Sequence, residues 1–263
     1  MELKQLCNEV CNIARQAGSF IKENINKITH ENIQKKGLHD FVTYVDLKSE
    51  EIIINGLLKL IPESGFIAEE KTRKNSHDRF NWIIDPLDGT TNYIHGVSPY
   101  SISIALMENQ EIVLGVVYEI SLDECFYAVK DDYAYLNGKR ITVSGCKQLS
   151  EGLISTGFPY SNFSRLDPFV ESLKYFMKNS HGVRRHGSAA TDLAYVACGR
   201  FDAFYEYGLN PWDVAAGALI VKQAEGKVTD FSGNQNFLFG KEIIATNKNI
   251  FSEFIEVVKK FML

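Results

Sequence analysis

Four acidic side chains stand where an apolar run ends or where a helix begins. Asp85 and Asp88 follow the run 82–84, Glu69 follows a shorter apolar run, and Asp213 comes just after an Asn-Pro pair that opens a helix. If the fold gathers these carboxylates, either raised pKa values or bound cations must relieve their repulsion. A set of ligands that are all oxygen favours hard ions, so Mg²⁺ is expected rather than zinc or copper. The sequence therefore predicts a magnesium site, and paired ions of this kind promote attack of water on a phosphate.

The residues that follow the second aspartate suit an anion. Gly89 has no side chain to block a phosphate, and Thr90 and Thr91 place backbone N–H groups at a predicted helix start. Pro86 has no N–H and a fixed φ, so the turn should be stiff and should leave the Leu87 carbonyl free to face a metal. A phosphate beside the cations is the expected arrangement.

Each of these residues also has an ordinary structural interpretation. Asp88-Gly89 alone is typical of a turn, Glu69-Glu70 of a solvated face, and Asp213 of a helix cap. Asp46 is predicted from its surroundings to be the N-cap of a helix. The joint pattern, rather than any single residue, favours a site.

The elements that position these residues follow from the periodicity of apolar side chains. Helices are predicted at 3–25, 46–60, 166–177, 189–197, 214–225 and 249–261. Strands are predicted at 65–68, 80–84, 101–107, 111–118, 124–129, 153–156, 201–207, 227–230 and 242–245. Hairpin turns are expected at Asn109-Gln110 and Asn137-Gly138, and the stretch 35–46 is predicted to be a loop or a short hairpin. We expect one catalytic domain spanning 1–263, with an antiparallel, helix-flanked first lobe (about 1–147) and an α/β second lobe (about 148–263).

Composition excludes several classes of protein. A net charge of −5 over 263 residues argues against direct binding of nucleic acid, because no excess of Lys and Arg can displace counterions from a phosphate backbone. The five cysteines include no CxxC pair and are expected to be reduced thiols. Neither a signal peptide nor a membrane-spanning run is recognisable, so the expected location is the cytoplasm, with no contact to a membrane.

Longer segments of the chain resemble the inositol monophosphatase family. W-I-I-D-P-L-D-G-T-T-N-Y-I-H-G-V-S-P-Y (82–100) is similar to the first family signature, and P-W-D-V-A-A-G-A-L-I-V-K-Q-A-E-G-K-V-T-D-F-S-G (211–233) is similar to the second. With 65–70 and 184–206, the similarity extends in the expected order from Leu6 to Thr246. The resemblance implies a layered α/β/α/β/α sugar-phosphatase fold, a homodimer, a need for Mg²⁺ and inhibition by Li⁺.

The resemblance also implies roles for individual residues. Glu69, Asp85 and the Leu87 carbonyl match one metal site, and Asp85, Asp88 and Asp213 match a second. Glu69 with water would serve a weaker third ion, so two or three Mg²⁺ per subunit are expected, with Mn²⁺ as a possible substitute.

The implied catalytic residues are Glu69, Thr90 and Asp46, of which the last two would orient and deprotonate the attacking water. The implied substrate-binding residues are Asp88, Gly89, Thr90, Gly187, Ser188, Ala189, Glu206 and Asp213. Glu206 would accept hydrogen bonds from polyol hydroxyls. We expect no catalytic role for His186, and at most a dimer contact or a substrate-edge role for Arg184 or Arg185.

The expected substrate is a small phosphate monoester. Phosphatases of 3′-phosphoadenosine nucleotides carry Lys-Glu-Phe after the D-G-T motif, whereas this chain has Thr91-Asn92-Tyr93, which favours inositol 1-phosphate or a similar polyol phosphate. Fructose 1,6-bisphosphate and histidinol phosphate stay open, because small changes around 157–161 or Glu206 would admit them. A further hypothesis comes from the segment 184–200, which resembles bacterial relatives that bind transcription complexes apart from catalysis.

Overall fold

The computed structural model describes residues 2–27, 33–37, 40–70, 76–160 and 162–263; Ser161, the end of the predicted specificity segment 157–161, lies outside them. The helices are α1 Leu3–Asn24, α2 Tyr44–Leu60, α3 Thr90–Ile94, α4 Leu166–Asn179, α5 Ala189–Ala197, α6 Pro211–Gln223 and α7 Phe251–Met262. The strands are β1 Ile33–Gly37, β2 Asp40–Thr43, β3 Gly65–Ala68, β4 Phe80–Asp88, β5 Ser101–Glu108, β6 Glu111–Glu119, β7 Glu124–Val129, β8 Ala134–Leu136, β9 Lys139–Ile141, β10 Leu153–Thr156, β11 Gly182–Arg184, β12 Ala203–Tyr207, β13 Lys227–Thr229 and β14 Glu242–Thr246.

The larger sheet has seven strands in sequential order, β3 to β9. β3 and β4 are parallel, and each later pair is antiparallel. The predicted hairpin turns are confirmed: Asn109 and Gln110 have φ of 47° and 69°, and Asn137 and Gly138 have φ of 47° and 82°, the left-handed conformation of a tight hairpin. β1 and β2 pair as a separate antiparallel ribbon, so the hairpin alternative for this stretch is confirmed.

The smaller sheet has the strand order β11-β10-β12-β14-β13. β11, β10 and β12 run parallel, and β14 and β13 are antiparallel to their neighbours. Helices α1 and α2 pack on the outer face of the larger sheet, and α4 and α7 pack on the outer face of the smaller one. The predicted layered α/β/α/β/α fold is confirmed.

Helices α5 and α6 form the middle layer and share one apolar core with both sheets. Their approach to the larger sheet depends on small residues. A Cβ placed on Gly115 of β6 would lie 2.7 Å from the Ala216 carbonyl oxygen of α6, so only glycine lets this helix lie so close. The first turns of α5 and α6 therefore lie at the edge of the larger sheet. The division of the chain at residue 147 stays a prediction.

Three short strands, β8, β9 and β11, were not predicted, because each has three residues that are mostly half-buried or exposed and so shows no clear apolar pattern. Helix α6 starts at Pro211, as the Asn-Pro pair predicts, and so three residues before the bound given by apolar periodicity, because proline is tolerated in the first turn of a helix. Of the helices in the described parts of the chain, none has both the length and the apolar character to cross a membrane.

Candidate active site

Strand β4 delivers two carboxylates to the site through a bulge. The predicted strand end at Ile84 is wrong: β4 continues, with Asp85 opposite Ser103 and Asp88 opposite Ser101. The three-residue interval from Asp85 to Asp88 on β4 therefore lies opposite a two-residue interval on β5, which is a β-bulge. The extra residue of a bulge bends the strand and changes the direction of its side chains. The Ser49 hydroxyl of α2 donates to the Pro86 carbonyl at 2.9 Å, which anchors the bulge.

The structure brings the four acidic residues together. Asp85, Asp88 and Asp213 each offer a carboxylate oxygen, and these oxygens lie within 4.8 Å of one another. Glu69 follows β3, which runs parallel to β4, so both strands end at the same edge; the Glu69 N–H donates to the Ile84 carbonyl at 3.2 Å. Asp213 arrives in the first turn of α6, where its Oδ2 accepts the Asn210 N–H at 2.6 Å.

Burial and mutual repulsion dominate the electrostatics of this cluster. Burial raises the pKa of Asp85 well above its usual range, and the charges of Glu69, Asp88 and Asp213 raise it further. Burial also raises the pKa of Asp88, to about 6, although hydrogen bonds from Ser188 and from the start of α5 oppose the shift. Positive charge placed among these oxygens would relieve the repulsion.

The donor set fits Mg²⁺. Among the described residues, those that line the cavity include six carboxylates and neither His nor Cys, which is the chemistry of a hard cation. The prediction of a free Leu87 carbonyl is wrong in one respect, because the Thr90 hydroxyl lies 3.0 Å from it. A carbonyl oxygen has two lone pairs, so Leu87 retains one for a metal.

Asp46 joins helix α2 to the site. Its Oδ2 accepts the Thr43 N–H at 2.8 Å and the Thr43 hydroxyl at 2.6 Å, and its Oδ1 lies 3.0 Å from the Thr90 hydroxyl. The predicted N-cap role is wrong: Thr43 is the N-cap, and Asp46 is the third helical residue of a capping box. One buried carboxylate therefore fixes the helix start with one oxygen and the Thr90 hydroxyl with the other.

Gly89 allows the β4–α3 turn to contact the α5 side of the cavity. It has φ of 91°, and a Cβ there would lie 3.1 Å from the Pro99 carbonyl oxygen and 3.2 Å from that of Gly187. The Asn92 amide donates to the carbonyls of Pro99 at 2.8 Å and His186 at 2.7 Å. The sequence analysis used Asn92 only as a substrate indicator and missed this link between the two sides of the cavity.

The start of α5 contacts the carboxylate cluster directly. The Ser188 hydroxyl donates to Asp88 Oδ2 at 2.6 Å, and the Ala190 N–H donates to the same oxygen at 2.8 Å. Gly187, Ser188 and Ala189 line the cavity, as the sequence analysis expects. These bonds hold Asp88 in a single orientation.

Glu206 lines the same cavity from β12. Its carboxylate lies against Gly157: a Cβ on that glycine would come 2.0 Å from the Glu206 carboxylate atoms. Asp192 of α5 also lines the cavity and was not predicted; the available signal was a single acid in an otherwise apolar helix, A-A-T-D-L-A-Y-V-A.

The raised pKa values predict a pH dependence that Mg²⁺ should abolish. For Asp88 the ordinary pKa of 3.8 becomes about 6 in the fold, so the folded state binds more protons between these values. Its contribution to the free energy of unfolding therefore falls as pH rises through this window. Urea titrations in EDTA should show a larger fall from pH 4 to pH 7 for the native sequence than for Asp88→Asn, and saturating Mg²⁺ should remove the difference. An equal fall in both proteins would contradict this electrostatic description.

Comparisons with known proteins agree with the geometry. Residues 2–262 match the family model described as the inositol monophosphatase family. The chain is 38% identical over 261 residues to the inositol-1-monophosphatase of Mesorhizobium japonicum, covering 99% of this chain and 98% of that protein. It is 37% identical over 262 residues to the Nus factor SuhB of Pseudomonas aeruginosa, covering 98% and 97%. The crystal structure of the extragenic suppressor protein suhB from Bartonella henselae has a TM-score of 0.92 at 38% identity, covering 97% of this chain and 99% of that one.

Proposed function

We propose, on the premise that the chain belongs to the inositol monophosphatase family, that it hydrolyses the phosphate monoester of a small polyol with the help of Mg²⁺. The carboxylate cluster of Asp85, Asp88 and Asp213 is the observation that carries this proposal, because such a cluster is stable at neutral pH chiefly with bound cations. Glu69, Asp85, Asp88, Asp213 and the Leu87 carbonyl would hold two or three ions. When bound, Mg²⁺ would lower the pKa of water and offset the charge on the phosphate.

The protein's own residues orient the reacting groups. Thr90 accepts a hydrogen bond from the attacking water and passes its own hydroxyl proton toward Asp46 Oδ1, which lies 3.0 Å away. Glu69, at the same edge, would assist in orienting this water. The backbone N–H groups of Gly187 to Ala189, and those of Thr90 and Thr91, would face the phosphate oxygens. Direct attack by water makes a covalent phosphoenzyme unnecessary.

Inositol 1-phosphate is the leading candidate substrate, with Glu206 accepting hydrogen bonds from the ring hydroxyls. The test is phosphate release from inositol 1-phosphate, fructose 1,6-bisphosphate, histidinol phosphate and 3′-phosphoadenosine 5′-phosphate, each with and without Li⁺. We expect the highest kcat/KM on inositol 1-phosphate and inhibition by Li⁺. Turnover of the nucleotide alone, or of none of the four, would overturn the proposal.

Gly157→Ala should weaken binding of the leaving group. The new Cβ would collide with the Glu206 carboxylate at 2.0 Å, so Glu206 must move into the cavity. We expect KM for inositol 1-phosphate to rise by about tenfold, the effect of roughly 1.4 kcal/mol in binding, with kcat within about threefold. Gly145→Ala is the matched control, since no atom lies within 4 Å of its Cβ position. An unchanged KM in Gly157→Ala would contradict the placement of Glu206 at the substrate.

A second function is favoured by the 37% identity to a Nus factor SuhB. The chain would then also bind a transcription complex, independently of hydrolysis. Copurification of RNA polymerase components, undiminished in Asp88→Asn, would support this role, and their absence from purified complexes would exclude it. The homodimer implied by the family resemblance and the cytoplasmic location expected from the sequence are proposals too, and light scattering after size exclusion tests the first.

A further inference from the structure

A second pair of carboxylates lines the cavity outside the Asp85–Asp88–Asp213 cluster. Asp192 in the first turns of α5 is 1% exposed, and Glu206 on β12 is 6% exposed; both line the cavity. Burial raises the pKa of Glu206 most, and the negative charge of Asp192 raises it next. The two carboxylates are therefore close neighbours at one end of the cavity.

Asp192 has an oxygen that no protein group satisfies. Within the described residues, Asp192 Oδ1 is buried and has no hydrogen-bond partner. The His186 Nδ1 atom lies 3.8 Å away, which is too far for a hydrogen bond, and it also lacks a partner. Burial raises the pKa of Asp192 well above its usual range, and the Ser155 hydroxyl is close enough to oppose this shift. That hydroxyl likewise has no partner within hydrogen-bonding geometry.

His186 cannot readily move to satisfy this carboxylate. Its ring packs against those of Tyr195 and Phe201, with centroid separations of 5.8 and 4.9 Å. Its carbonyl is bonded to the Asn92 amide at 2.7 Å. An unsatisfied buried carboxylate oxygen is costly, and such an atom in a native structure calls for an explanation, such as a bound water or a functional role. Asp192 Oδ1 is itself closed to solvent, so a ligand would contact the part of Asp192 that lines the cavity.

Arg185 supplies positive charge at the same end of the cavity. Its Nε is buried without a partner, and its guanidinium donates to the Tyr160 hydroxyl. Burial raises the pKa of both Asp192 and Glu206, and the charge of Arg185 opposes this shift. Two acceptors and one donor suit the hydroxyls of a neutral polyol.

Asp192 is not needed to complete the helix start. The Ser188 side chain accepts the Thr191 N–H at 3.3 Å, and Asp88 accepts the Ala190 N–H at 2.8 Å. A carboxylate in this turn would interact favourably with the helix dipole, but that interaction does not require it to reach the cavity.

We propose, resting on the phosphatase function above, that Asp192 is a specificity-determining residue. It accepts a hydrogen bond from a second hydroxyl of the leaving group, beside the hydroxyl bound by Glu206. The preferred substrates are then phosphate esters of polyols with at least two hydroxyls near the ester. Cyclic polyols satisfy this requirement, and leaving groups without hydroxyls do not.

The test compares inositol 1-phosphate with cyclohexyl phosphate, which has the same ring size but no hydroxyl. Asp192→Ala, which removes the acceptor, should lower kcat/KM for inositol 1-phosphate by about 10- to 100-fold, the loss expected when a charged hydrogen-bond partner of a substrate is removed. For cyclohexyl phosphate it should change kcat/KM by less than about threefold. Thr246→Val is the matched control. The Thr246 Oγ1 atom is also buried without a partner, but Thr246 does not line the cavity.

Each outcome decides the proposal. An equal loss on both substrates would show that Asp192 only supports the fold or holds a structural water. An unchanged kcat/KM on both would show that Asp192 has no role in substrate binding. Either result overturns the inference while the phosphatase function stands. Asp192→Ser, which shortens the side chain, gives the same comparison if the alanine variant fails to fold. If the native sequence hydrolyses neither ester, the proposed function itself fails, and the inference falls with it.

Discussion

Asp85→Asn is expected to lower Mg²⁺-dependent phosphate release by at least about 1000-fold, equivalent to roughly 4 kcal/mol of transition-state stabilisation. Asp85 is central to the carboxylate cluster, since the charges of Glu69, Asp88 and Asp213 all raise its pKa. The same change should stabilise the protein in EDTA, because it removes one of several repelling charges while an amide oxygen can still accept the Leu87 N–H, which lies 3.0 Å from Asp85 Oδ1. Melting curves with EDTA and with Mg²⁺, together with phosphate release, measure both effects.

The matched control for this variant is Asp230→Asn. Asp230 is also a buried aspartate, and its Oδ1 accepts the Asn234 N–H at 2.7 Å, but it does not line the cavity. We expect its activity to stay within about twofold of the native value, since it does not contact the reacting groups. Full activity of Asp85→Asn, or a lower melting temperature in EDTA, would contradict the role given to the cluster.

Thr90→Val should lower kcat by about 100-fold or more, because orienting and deprotonating the water contributes on the order of 10² to 10⁴. Its free energy of unfolding should also fall, by about 1 to 3 kcal/mol, because the buried Asp46 Oδ1 loses the Thr90 hydroxyl as a partner.

Thr43→Ala should lower stability without a comparable loss of kcat. It removes the hydroxyl that caps α2, with a cost of about 1 kcal/mol in the free energy of unfolding, while Asp46 Oδ1 still faces Thr90. Steady-state kinetics and urea unfolding of both variants test this pair.

Thr90→Ser restores the hydroxyl and should recover most of the activity lost in Thr90→Val. A wild-type kcat in Thr90→Val would show that the Asp46–Thr90 contact is only structural. A loss of activity in Thr43→Ala as large as that in Thr90→Val would show that the two functions of Asp46 cannot be separated.

The bounds of a helix or strand could be predicted from the sequence where apolar residues determine them. β3, β7, β10 and α5 have the predicted bounds, because each is a buried run with clear polar boundaries. β4 was predicted too short, since Pro86 and two aspartates are typical of a turn. In the fold, the pairing of Asp88 with Ser101 continues the ladder beyond the bulge, and such pairing depends on a partner strand that local sequence does not reveal.

The site, too, could be predicted only where its residues do not depend on distant partners. The resemblance named Asp46 and Thr90 together, but only the fold shows that Asp46 occupies the third position of a capping box and bonds Thr43 with its other oxygen. The roles of Asn92 and Asp192 were not predicted. Asn92 bonds the His186 carbonyl, which is distant in the sequence, and Asp192 lines a cavity formed by residues from several parts of the chain. Contacts of this kind follow from tertiary packing rather than from periodicity.

Anomalous diffraction from crystals soaked in Mn²⁺, a hard ion that also favours oxygen ligands, would show directly whether the carboxylate cluster binds metal. We expect at least two anomalous peaks bounded by the carboxylates of Glu69, Asp85, Asp88 and Asp213, at about 2.0 to 2.3 Å from their oxygens, as for small divalent ions. No peak among these four carboxylates, or peaks only elsewhere on the protein, would contradict the assignment of a metal-dependent phosphatase site.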